Sequence, residues 1–213
     1  MSGEKSLFLW EIFRKTVHLS SLAIVIGYTL LLNYFSDRVA IMAMTALLLI
    51  FLEIEYVRLE HKSRFISFFD RLFREKEKDN LAGGVFMVIS CIICFAAFDY
   101  YVALLALLMT VFGDIFAAIF GKLFGKTILY NKKTFVGTFA GLSANLIVGI
   151  LLLPAYLPLV IPMAITASYV EFTTDKLDDN LTVPLFAGFV GQLIVYYSDM
   201  TLPPIDFSFF GLF

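Results

Sequence analysis

Hydrophobic residues fall along this chain in long, nearly uninterrupted runs separated by short polar clusters. About 20 apolar residues at 1.5 Å rise each cross the roughly 30 Å core of a bilayer. Seven candidate runs are visible: Val17 to Tyr34, Val39 to Val57, Leu81 to Phe98, Tyr101 to Phe120, Phe135 to Leu153, Leu157 to Val170 and Val183 to Tyr197. The sixth is short and the fourth carries an acid, Asp114. The pattern predicts an all-α, polytopic membrane protein of about seven transmembrane helices, forming one domain over residues 1–213. No internal repeat, low-complexity tract or soluble domain interrupts it. The leading polar segment holds Glu4 and Glu11, and no small-residue cleavage site follows the first run, so a cleaved signal peptide is not expected.

Composition points the same way. Of 213 residues, 60% are hydrophobic and 16% charged, with a mean hydropathy of +0.88, whereas soluble domains are about one-quarter charged. The net charge of −2 hides an asymmetry. Lys and Arg are retained on the cytoplasmic side near span ends. With the N-terminus inside and seven alternating spans, 15 of the 16 basic residues lie inside and only Arg38 lies outside. The C-terminal tail with Pro203 and Pro204 is then outside. Nothing in this distribution suggests nucleic-acid binding.

Between the second and third runs, RLEHKSRFISFFDRLFREKEKDN repeats Phe65, Phe68, Phe69, Leu72 and Phe73 at helical spacing among basic residues. That predicts an amphipathic helix lying in the headgroup layer, either anchoring orientation or guiding a lipid. Cys91 and Cys94 form a C-x-x-C inside an apolar run, where two buried thiols are a better reading than a redox or metal site.

Ionisable groups at membrane depth are costly and become functional candidates. Outside, Asp37, Asp99, Asp199 and Asp206 read as solvated turn residues. Inside, Glu11, Arg14, Lys15 and His18 fall at i, i+3, i+4 and i+7 and so share a helical face, which also suits a plain interfacial anchor. Glu53 and Glu55 end the second run, Glu53 the deeper of the two. Glu171, Asp175, Asp178 and Asp179 fall at i, i+4, i+7 and i+8, so a helix continuing that far would line up four carboxylates and call for a divalent cation.

The stretch GDIFAAIFGKLFGKTILYNKKTFVG, residues 113 to 137, carries the densest chemistry. It is no P-loop: only three residues separate Gly121 from Gly125, and a membrane helix comes before it where a strand would be needed. Gly113, Ala117, Gly121 and Gly125 recur every four residues, a stripe that lets another helix approach closely. Packing does not explain Asp114, which lies about 12 Å deeper than Lys122 along a helix, nor the crowd of Lys126, Lys132 and Lys133 beside Thr134 and Gly137. A buried carboxylate facing a lysine-rich, glycine-containing loop suits a metal-bound polyphosphate.

These residues resemble the pattern G-D-x-x-A-x-x-x-G-x-x-x-G-K followed by K-[ST]-x-E-G, found in membrane enzymes that use CTP. The resemblance is to the CTP-dependent lipid kinases (dolichol kinase, phytol kinase and the CTP-type diacylglycerol kinase) and to the related phosphatidate cytidylyltransferase. E-x-x-R-K-x-x-H at Glu11 to His18, the glutamate of L-E-I-E-Y-V-R near Glu53, and DDNLTVP at Asp178 to Pro184 resemble the kinases' other signatures. The cytidylyltransferase's K-D, G-H-G-G and D-R-x-D segments are missing. One position departs: the family pattern has Glu where this chain has Val136.

The resemblance implies an integral multi-pass enzyme of the plasma membrane, or of the endoplasmic reticulum or plastid in a eukaryote, with its site on the cytoplasmic side. It would transfer the γ-phosphate of CTP to a polyprenol, phytol-like or diacylglycerol hydroxyl with Mg²⁺. Asp114, Glu171, Asp178 and Asp179 would serve the metal. Arg14, Lys15, Gly121, Gly125, Lys126, Lys132, Lys133, Thr134, Gly137 and Asn180 would serve the phosphates and nucleotide. Glu53 or His18 would accept the hydroxyl proton. The alternatives are a cytidylyltransferase acting on a lipid phosphate, and a transporter using the inner carboxylates as an ion site, although no broken helix is evident at mid-span.

Overall fold

A computed structural model describes residues 21–61, 80–130, 133–175 and 177–205. Among these the chain forms seven α-helices: α1 (Ser21–Tyr34), α2 (Asp37–His61), α3 (Gly83–Ala97), α4 (Tyr100–Phe124), α5 (Phe135–Leu152), α6 (Leu157–Thr173) and α7 (Asp179–Tyr197). Each corresponds to one predicted run. Helices α2 and α4 extend past their runs because a helix continues through interfacial polar residues that a count of apolar positions leaves out. Four of the seven, α2, α4, α5 and α7, are long and apolar enough to cross a membrane, and α1, α3 and α6 are shorter apolar helices.

Short, locally encoded breaks separate the helices. Ser36 starts α2, its hydroxyl accepting from the Val39 N–H at 3.4 Å, and Asp37 places a negative charge in the first turn. Asp99 lies between α3 and α4 and is tied to α7 in both directions: its N–H donates to Gln192 Oε1 at 2.8 Å, and Gln192 Nε2 donates to Asp99 Oδ2 at 2.9 Å. Pro158 opens α6 within its first turn, where its missing N–H costs nothing.

Two buried clusters hold the bundle together. One joins Val25 and Tyr28 of α1, Met44 of α2, and Met87 and Cys91 of α3 to Ala103, Leu107 and Val111 of α4. The other joins Val102, Leu105 and Met109 of α4 to Val160 and Met163 of α6 and to Val183 and Ala187 of α7, with Leu142 and Leu146 of α5 packed against it. Helix α4 belongs to both. Large apolar side chains also face outward, including Met42 and Leu49 on α2, Phe139 and Leu151 on α5 and Phe186 on α7. Such extensive apolar exposure marks a surface meant for lipid. Tyr34, Phe35, Tyr196 and Tyr197 are exposed at the end away from the lysine-rich segment, as in an aromatic interfacial belt.

One element lies outside the all-α expectation. Ile128–Tyr130 and Lys133–Thr134 pair as a small antiparallel hairpin, β1 and β2, with Ile128 opposite Thr134. The amphipathic helix expected between α2 and α3 falls on residues 62–79, outside the described residues.

Candidate functional site

The C-terminal ends of α4 and α6 and the N-terminal end of α5 surround a cavity of about 240 Å³. From α4 it receives Asp114, Ala118 and Lys122 at i, i+4 and i+8, one face of the helix, together with Ala117 and Gly121. The hairpin contributes Lys133 and Thr134, α5 contributes Gly137 and Thr138, and α6 contributes Ser168, Glu171 and Phe172.

The loop reaches the cavity through close backbone packing. Thr134 is the N-cap of α5, its hydroxyl accepting from the Gly137 N–H at 3.1 Å. A Cβ on Gly125 would lie 2.5 Å from Thr134 Oγ1, and one on Gly137 would lie 2.7 Å from the Ala117 carbonyl oxygen. The small residues of the sequence stripe therefore fold the hairpin back against α4.

Lys133 bridges the hairpin to α6. Its ammonium donates to the carbonyls of Glu171 and of Thr174, the latter at 3.2 Å, and so caps the helix terminus whose carbonyls lack intrahelical partners. From the same turn of α6 the Glu171 carboxylate reaches toward the α4/α5 seam: a Cβ on Gly141 would lie 3.5 Å from Glu171 Oε2 and 3.3 Å from the Gly113 carbonyl oxygen.

Of the residues singled out from sequence, Asp114, Gly121, Lys133, Thr134, Gly137 and Glu171 line this cavity. Gly125 is not in the lining but packs against Thr134, which is. Lys126 is exposed just beyond α4 and does not line it. Arg14, Lys15, His18 and Lys132 lie outside the described residues.

The expectation of four carboxylates on one continuing helix is corrected. Helix α6 ends at Thr173, and Asp178 starts a new helix, its Oδ1 accepting from Asn180 N at 3.0 Å and Asn180 Nδ2 at 2.8 Å. Asp178, Asp179 and Asn180 thus begin α7 and are absent from the cavity lining. Among the described residues no group of three or more His, Cys, Asp and Glu could hold a metal. The cavity itself offers two carboxylates, Asp114 and Glu171.

Of the two glutamates singled out on α2, Glu53 is exposed and outside the cavity lining. Glu55 is the buried one. It receives Arg58 Nε at 3.1 Å and Nη2 at 2.5 Å, while Arg58 also donates to the Asn80 carbonyl and Ala82 N donates to Glu55 Oε2. This charge-assisted clamp fastens α2 to the start of α3. Lys122, Thr138 and Ser168 are cavity residues not selected from sequence, although Lys122 shares the Asp114 face and Ser168 precedes Glu171 by one turn. Val136 is half-buried and outside the lining.

No family model, curated protein or solved structure matches the chain.

Proposed function

We propose that the chain is a membrane lipid kinase that transfers the γ-phosphate of CTP to the hydroxyl of a lipid alcohol. The observation that carries this reading is the cavity between α4, α5 and α6, where two carboxylates meet two lysines and the N-terminus of α5. At about 240 Å³ it is smaller than the roughly 300–1,000 Å³ of a typical ligand site. It suits a polyphosphate with its cation rather than a whole nucleotide.

Lys122 and Lys133 neutralise phosphate oxygens, and the positive end of α5 adds to them. Asp114 and Glu171 present the hard oxygen donors that Mg²⁺ prefers, and the ion would supply further charge neutralisation on the β and γ phosphates. Glu171, reaching in from α6, takes the place of the carboxylate that the family pattern puts at position 136. In the reaction the bond from γ-phosphorus to the bridging oxygen breaks and a bond to the lipid oxygen forms. CDP leaves, and the hydroxyl proton passes to water as the new phosphoester bond forms. Because the transition state is loose, placement and charge neutralisation contribute more than proton removal. CTP as donor and a polyprenol, phytol-like alcohol or diacylglycerol as acceptor follow from the family resemblance.

In this reading all seven helices span the bilayer, α1, α3 and α6 in their shorter form, with the N-terminus and the cavity cytoplasmic. The clustering of Lys122, Lys126 and Lys133 at one end of the bundle supports it.

Purified protein, membrane lipids and Mg²⁺ are incubated with CTP labelled at the α or the γ phosphate. Label from γ appearing in extracted lipid is expected. Label from α makes the chain a cytidylyltransferase, and no label in lipid removes both enzyme readings.

A further inference from the structure

Helices α4 and α5 also enclose a second opening, with no polar side chain in its walls. It is a groove of about 410 Å³, lined by Leu108, Phe112 and Phe116 of α4 and by Ala144, Val148 and Leu151 among the residues of α5. Phe116 follows Asp114 by two residues, about 200° around the helix, so the groove and the polyphosphate cavity open on different sides of α4. The walls run from Leu108 to Phe116 and from Ala144 to Leu152, each about 12 Å of helix. Spread over that length, the volume leaves a cross-section of about 34 Å², too narrow for a helix about 10 Å across and open enough for a hydrocarbon chain.

Toward the hairpin the groove continues as an aromatic row. Phe116 stacks on Phe120 with ring centroids 6.0 Å apart, and Phe120 lies against Phe124 at 5.9 Å. With Leu108 and Phe112 they form one stripe at i+4 spacing, and the three rings are exposed. Lys126 follows two residues past the stripe. Of the other cations described at this end, Arg58 and Lys133 bond within the protein and Lys122 lines the cavity. Lys126 is exposed and has no partner among the described residues. The eight residues from Phe116 to Phe124 cover about 12 Å, close to the half-thickness of about 15 Å of a bilayer's hydrocarbon core. A lipid with its phosphate at the level of Lys126 therefore brings the end of its chain to the groove.

We propose that this flank of α4 binds an anionic phospholipid of the surrounding bilayer, with a chain in the α4/α5 groove and the phosphate on Lys126. The site is separate from the proposed kinase reaction and does not depend on it. Water finds no hydrogen bond on these walls and leaves such a space dry, whereas lipid chains are present at this depth. Apolar contact alone does not choose among lipids, because every chain is as apolar as the wall. The ammonium group makes the choice, by attracting a negatively charged headgroup.

The test replaces the single tryptophan, as Trp10→Phe, and places a fluorescent reporter in the groove, as Phe116→Trp. The protein is reconstituted in mixtures of phosphatidylcholine and phosphatidylglycerol, with bromine on the chains of one or the other, and quenching of the reporter gives their relative binding. A preference of about fivefold for phosphatidylglycerol is expected, the effect of one lysine near an interface. Lys126→Gln should bring it close to one, and so should Ala144→Phe, which fills the groove. A reporter at Phe186→Trp, on the exposed face of α7, should show little preference. Ile147→Trp reads from the opposite wall if Phe116→Trp does not fold. Equal binding of the two lipids, a preference that survives either Lys126→Gln or Ala144→Phe, or the same preference at Phe186→Trp overturns the proposal. A groove reporter quenched by neither lipid means that a second copy covers this face, and overturns it too.

Discussion

Asp114 is the residue on which the proposed chemistry turns. It lies in the middle of an apolar helix yet faces a cavity that also receives Lys122 and Glu171. Asp114→Asn keeps shape and hydrogen bonding but loses the charge, and should lower lipid phosphorylation at saturating Mg²⁺ about a hundredfold or more; near-normal turnover would remove it from the metal. Glu171→Gln tests the compensation for Val136 and should raise the Mg²⁺ concentration needed for half-maximal rate. If Val136→Glu restores the Mg²⁺ response in that background, the two positions serve one function. Sequence indicated Asp114 and the lysines because charge in an apolar run stands out. It could not distinguish Glu53 from Glu55, two residues apart on a helix apolar all round, since nothing marks which face packs inward.

Between elements, two polar devices carry the joints. The Arg58–Glu55 pair, side chains 6% and 7% exposed, ties α2 to the start of α3. Arg58→Ala leaves a buried carboxylate without its cation, which should cost about 3–5 kcal/mol and lower the thermal midpoint in detergent; an unchanged midpoint would show that the pair is not buried in the folded protein. At the hairpin, Gly125→Ala pushes a Cβ against Thr134 and should displace the N-cap of α5, weakening CTP use more than acceptor use. The helices themselves were legible, because long apolar runs permit little else. The hairpin was not: three residues and two residues are too few for a period of two to show. Two separate runs were legible here, but the start of α7 at Asp179 rather than Val183 was not, because TTDKLDDN contains neither Gly nor Pro. It is set instead by Asp178 Oδ1 accepting from the backbone N–H of Asn180, the local competition by which Asp starts helices.

At the scale of the whole molecule, helix α4 belongs to both buried clusters. A carrier of the rocking type needs two bodies that swing about a shared binding site, each with its own packing. Here one rod is the shared wall of both halves, and tilting either half would strip α4 of side chains on its other flank. Such a frame behaves as a single beam. At the rim of the cavity the hairpin is tied to the tip of α6 through Lys133 and to α4 through Thr134, so the beam and this appendage are fastened together.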